Sequence, residues 1–211
     1  MITRVLLFSA SILISIGLGF ILLSVEQLQT LLRFLSYPLL LIGFVSWIYY
    51  GFKSHDREAA IRWIKRQSNI AAIVACLIGT TFLYTRESRE YKIVYDEPTI
   101  INTSLNLHLH RDPVIREPAH SDSVHHPSLV DKRPFFFAFL VSLLHDALGY
   151  NIANGHIVNF LLTFGFLIAV YRLLSLIKGP QAGFIGIAAF CTLPLMAQNA
   201  SGLGFEIANL L

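Results

Sequence analysis

Three stretches of this chain run for the length of a bilayer without one charge: Val5 to Val25 with 21 residues, Phe34 to Phe52 with 19, and Gln67 to Thr85 with 19. At about 1.5 Å of rise per residue, each is long enough as a helix for a hydrocarbon core roughly 30 Å thick. Inside lipid the backbone must satisfy its own hydrogen bonds, so the expectation is helices and not strands. The first run follows Arg4, as a secretory signal would. It is longer than a usual signal core, and no small-x-small cleavage site follows it before Glu26, so it reads as an uncleaved helix. The second carries Pro38 near its start, and the third opens on three polar residues.

Composition agrees with this pattern. Hydrophobic residues make up 55% of the 211 and charged residues 14%, with a mean hydropathy of +0.61. A soluble domain carries about a quarter charged residues. Eight of the 13 acids fall between Arg86 and Arg133, which leaves the remainder as long apolar runs. The net charge of +3 is small and scattered, so no nucleic-acid partner is expected. Cys76 and Cys191 both lie within apolar runs and read as small buried residues.

Charge also suggests an orientation. The segment "KSHDREAAIRWIKRQ" holds Lys53, Arg57, Arg62, Lys65 and Arg66, a density that marks a cytoplasmic loop. Arg4, two crossings away, agrees. The stretch from Arg86 to Asp131 then lies outside, in a periplasm or lumen. At Arg133 to Tyr150, "RPFFFAFLVSLLHDALGY" is too short for a span, so a juxtamembrane or re-entrant helix is expected at 134–148. A spanning helix follows at about 155–177, then a tight cytoplasmic turn at "KGPQ", then a last helix at about 181–200. Asn199, Ser201 and Glu206 thereby return to the outer side. The expected fold is an all-α polytopic membrane protein with about five transmembrane helices and an external loop carrying a short juxtamembrane helix. Residues 1–66 form two helices and the basic loop, and residues 67–211 form the rest, with the external loop at 86–133.

Several residues in that outer region are candidates for chemistry. Asp96 and Glu97 lie in "KIVYDEPTI", where the preceding residues are apolar enough to keep the pair near the interface. They are either solvated acids or a general base for an incoming hydroxyl. Asp131, Lys132 and Arg133 precede Pro134 at a helix start. They are either a polar cap or, at a helix N-terminus, an anion site for a phosphate. His108, His110, His120, His125 and His126 match no compact metal-ligand spacing, so neither a metal nor another cofactor is expected. His145 and Asp146 read as a helix end, and His156 as a hydrogen-bonding partner between helices. Glu206 lies in an apolar helical stretch near the outer face, where an acid is costly; it either snorkels or serves a site.

The order of these pieces resembles the N-terminal part of the polyprenyl-phosphate-dependent glycosyltransferases of the GT-C superfamily, the protein O-mannosyltransferase and aminoarabinose lipid A transferase group. Here "YDE" matches the family's acidic pair in the first external loop. "DKRPF" matches its "KPPL" opening of the short helix, with Arg133 where the first proline would be. "FE" stands at the later acidic motif, with Glu206 for the usual aspartate. The resemblance covers about residues 68–211 and leaves the first two helices unaligned. It implies Asp96 as the catalytic base with Glu97 supporting it, Lys132 and Arg133 on the donor phosphate, and Asp131 and Glu206 beside them. The reaction implied is inverting transfer of a sugar from a polyprenyl-phosphate donor to an acceptor on the periplasmic or luminal side.

Such enzymes carry many more spanning helices, so the expectation is of the front part of a longer enzyme that need not be active alone. The partners expected are membrane lipid, the lipid-phosphate sugar donor and an acceptor, and the expected location is a bacterial inner membrane with 86–133 periplasmic. The rival reading is a non-enzymatic polytopic membrane protein, such as a transporter subunit or an assembly partner.

Overall fold

The computed structural model describes residues 2–17, 22–54, 67–88, 96–115, 129–130, 134–204 and 207–208. It is all-helical apart from one minimal ladder. Helix α1 spans Ile2–Ile16 and α2 spans Val25–Ser54. A reciprocal capping box starts α2: the Ser24 amide donates to Gln27 Oε1 at 3.0 Å, and the Gln27 amide donates to Ser24 Oγ at 3.3 Å. Helix α3 spans Gln67–Arg86. Its buried residues Asn69, Ala72, Cys76, Thr80 and Leu83 recur every three or four positions, so one face of the helix enters the core.

Helices α6 (Ala153–Lys178) and α7 (Pro180–Thr192) form a tight hairpin packed on α3. Gly179 takes φ +86° at the turn, a conformation open to glycine, and its amide donates to Ser175 O. On α7, a Cβ at Gly183 would meet Ser175 and Tyr171, and one at Gly186 would meet Leu174 and Val170. Glycine at these positions is what lets the two helices approach. Cys76 is buried, Cys191 is half-buried, and both thiols are free.

The chain turns by 76° between α7 and α8 (Pro194–Ser201). Leu193, ahead of a proline, is held in an extended conformation, φ −75° and ψ 121°. The continuous helix expected at 181–200 is therefore a broken pair. The expected count of five spans also falls. Among the described residues, Val25–Tyr50, Asn69–Arg86 and Ala153–Lys178 are long and apolar enough to cross a membrane, and the bent pair makes up to four. The first expected run, Val5 to Val25, falls partly outside the described residues, at 18–21, and helix α1 is described over 15 residues.

The region expected as an external loop at 86–133 contains regular structure. Asp96–His110 is helix α4, followed by strand β1 (Val114–Ile115), which pairs antiparallel with β2 (Leu129–Val130) through Val114↔Val130. Helix α5 (Phe135–Leu148) lies against α4. Pro134 caps α5 from outside rather than opening it. Two apolar clusters hold the molecule. One joins α3, α6, α7 and α8 around Leu83, Leu167, Tyr171 and Ala197. The other joins α4, α5 and α6 around Ile100, Leu107, Phe139 and Val158.

Candidate functional site

The acidic pair stands in the first turn of α4, where the exposed backbone N–H groups favour carboxylates. The two acids have different surroundings. Asp96 is half-buried, whereas Glu97 is 2% exposed. Glu97 Oε1 accepts the Leu203 amide at 2.8 Å, across 106 positions of sequence. From the opposite side, Asn159 Nδ2 on α6 donates to Asn199 O at 2.7 Å and to Gly202 O at 2.9 Å. The turn after α8 is thus pinned between α4 and α6. A Cβ on Gly202 would stand 2.7 Å from Glu97 Oε1, so glycine there admits the carboxylate. Glu97 is accordingly a positioning residue for this turn, and Asp96 is the carboxylate of the pair nearer to solvent.

Of the other expected site residues, Asp131, Lys132, Arg133 and Glu206 lie outside the described residues, as do His120, His125 and His126. The described chain resumes at Pro134, and Gly204 and Ile207 on either side of Glu206 are buried. Among the described residues, no group of three His, Cys, Asp or Glu side chains could hold a metal ion.

A second polar group joins the far end of α4 to α5 and α6. Asp146 accepts from His108 Nδ1 at 2.6 Å and from Arg111 Nη1 at 2.7 Å, one partner on each carboxylate oxygen. Burial pushes the Asp146 carboxyl up, but the Arg111 and His108 hydrogen bonds and charges outweigh it and hold it below the usual range. The same carboxylate raises Arg111. Arg111 also lies 4.8 Å from the Tyr37 ring of α2, a cation–π contact. Its φ of 58° ends α4 and redirects the chain, and Asp112 then meets Arg33 of α2 at 2.6 Å.

His145 is fully buried beside this pair. Asn154 Nδ2 donates to Gly149 O at 2.8 Å and stands 2.8 Å from His145 Nδ1. Both amide hydrogens are then used, and Nδ1 is the acceptor. Nε2 therefore carries the proton and faces Ser104 Oγ at 3.3 Å, while Ser104 donates to Ile101 O. Burial first, and His108 second, push the His145 pKa down, which agrees with a neutral ring. The trio Ser104, His145 and Asn154 has the composition of a nucleophilic triad but the wrong tautomer for one, because Nε2 cannot accept the serine proton. It is a structural lock between α4, α5 and α6.

Sequence reading took His145 as a helix end. Its backbone carbonyl does accept the Gly149 amide there, but its side chain points into the core. Ser104, Asn154 and Asn159 were not singled out. The available signal was polar side chains inside otherwise apolar helices, which tend to bond across helices. Comparison of the chain with models of protein families, with curated proteins and with solved structures found no match.

Proposed function

We propose that this chain is a membrane-embedded part of a glycosyltransferase that takes its sugar from a polyprenyl-phosphate donor on the outer face of the membrane. The observation that carries this reading is the Glu97–Leu203 hydrogen bond, which brings the acidic pair to the turn that leads into Glu206. The first motif of the family resemblance thus packs on the turn that precedes the last one in sequence. Orientation supports it as well. The Arg33 end of α2 meets the layer formed by α4, and its Lys53 end leads into the basic segment 53–66.

In this reading Asp96 is the base. It is the less buried residue of the pair, while Glu97 is buried and accepts from the Leu203 amide. The acceptor hydroxyl gives its proton to Asp96, and its oxygen attacks the anomeric carbon. The bond to the phosphate breaks with inversion, and the polyprenyl phosphate leaves against Lys132 and Arg133. By the resemblance, Asp131 and Glu206 would belong to the same site. The test is transfer from a panel of radiolabelled polyprenyl-phosphate sugars in the protein's own membranes. Asp96→Asn should lower transfer by about a hundredfold or more, the usual worth of a general base. Transfer at the unmodified rate in that variant removes the catalytic role and leaves the rival, a non-enzymatic membrane component.

A further inference from the structure

A cleft of about 870 Å³ lies between α2, α5 and α6. That is within the roughly 300–1,000 Å³ of ordinary ligand pockets. Helix α2 contributes a single stripe, Ser36, Leu40, Gly43, Phe44 and Trp47, at helical spacing. Phe136 of α5 and Leu161 of α6 face it. The walls are mostly apolar, with the Ser36 hydroxyl near one end and the Trp47 indole at the other. Ser36 is 7% exposed, and its hydroxyl has no hydrogen-bond partner among the described residues. A serine inside a helix ordinarily turns its hydroxyl back to the carbonyl of the preceding turn. A buried orphan donor is costly, so an acceptor inside the cleft is the economical explanation.

Depth identifies the acceptor. Ser36 stands one helical turn beyond Arg33, whose pair with Asp112 marks the polar layer. From Ser36 to Trp47 the stripe descends about 16 Å. That matches one leaflet of a hydrocarbon core roughly 30 Å thick. The cleft is thus about one leaflet long and begins at a hydroxyl donor just below the polar layer, the depth of a glycerolipid ester. An isoprenoid chain carries no acceptor there. We propose that the cleft holds one acyl chain of an ester-linked phospholipid, its ester carbonyl accepting from Ser36. The inference rests on the membrane placement proposed above. It also accounts for α2, whose apolar span is 6% buried against 33% for α3. Tyr37 and Phe44 set their ring edges on Phe139, and the chain would fill the gap beside them.

The test reconstitutes the full chain with diacyl or dialkyl-ether phosphatidylglycerol of equal chain length, and reads retained lipid by native mass spectrometry. The unmodified protein should retain the diester about fivefold over the diether, the worth of one hydrogen bond. Ser36→Ala should equalise the two. Gly43→Leu should abolish retention of both without unfolding the protein, because a Cβ at Gly43 meets nothing within 4 Å. Equal retention of diester and diether by the unmodified protein overturns the proposal, as does retention unchanged by both substitutions or displacement of the diester by polyprenyl phosphate. Flotation of the same samples separates the two failures. A chain that does not float with vesicles sinks the membrane placement itself, and one that floats without retained lipid sinks the acyl site alone.

Discussion

Glu97 and Gly202 make one contact from two distant positions. Glu97→Ala would leave the Leu203 amide buried without its acceptor, a loss of about 1–3 kcal/mol. Gly202→Ala attacks the same contact from the other side, since its Cβ would press on Glu97 Oε1 and on Gln198 O. The double variant should cost clearly less than the sum of the two, because both break one interaction. Thermal unfolding in detergent measures this, and strict additivity would separate the two residues. The His145 lock responds to acid. Its folded pKa lies below the ordinary value, so the folded state favours the neutral ring. The unfolded chain then binds the proton first, and stability falls as pH drops below about 6.5. Asp146 acts in the same direction. Its depressed pKa gives stability that is present above the unfolded carboxylate value and is lost as pH falls through the folded one. His145→Gln should flatten the upper part of this profile, because it removes the ring whose protonation burial opposes. An unchanged profile in that variant would assign the pH dependence elsewhere. The sequence showed Asp96 and Glu97 as a pair; the burial of Glu97 as a clamp depends on Leu203, 106 positions away.

At the scale of elements, close approach of α6 and α7 depends on glycine. Gly186→Leu should force the hairpin apart, since the first added carbon already meets Leu174. Overpacking of this kind costs typically about 1–3 kcal/mol. The same substitution at Gly17, where a Cβ meets nothing within 4 Å, serves as the control and should be near neutral in the same melt. The long helices were legible in the apolar runs, and the α6–α7 turn in "KGPQ". Two features were not. Segment 96–110 carries many polar residues and looked like loop, yet its helix buries Thr103, Ser104 and Asn106 by giving each a local partner. The break at Leu193 was hidden because the apolar run continues through it. Only Pro194 signals it, and Pro38 shows that a proline inside a long helix does not always break one.

For the whole molecule, the proposed orientation makes a topological prediction. In a background without Cys76 and Cys191, single cysteines at Ser123 and at the exposed Gln181 should label from opposite sides of the membrane, with Ser123 on the outside. Labelling of Ser123 from the cytoplasm would falsify the placement of the acidic pair on the outer face, and the glycosyltransferase reading with it. The sequence by itself determined the helical class, the long apolar elements and the basic segment between them, because these follow from local composition and from the backbone's need to hydrogen-bond to itself. Only the tertiary structure decided which polar residues meet. Glu97 reaches Leu203, Asn159 pins the turn after α8, His145 is fixed as a neutral ring, and Ser36 is left as a donor in an apolar cleft. Each of these outcomes depends on the distance and direction between side chains from different helices, and the periodicity of one helix carries no information about its neighbour.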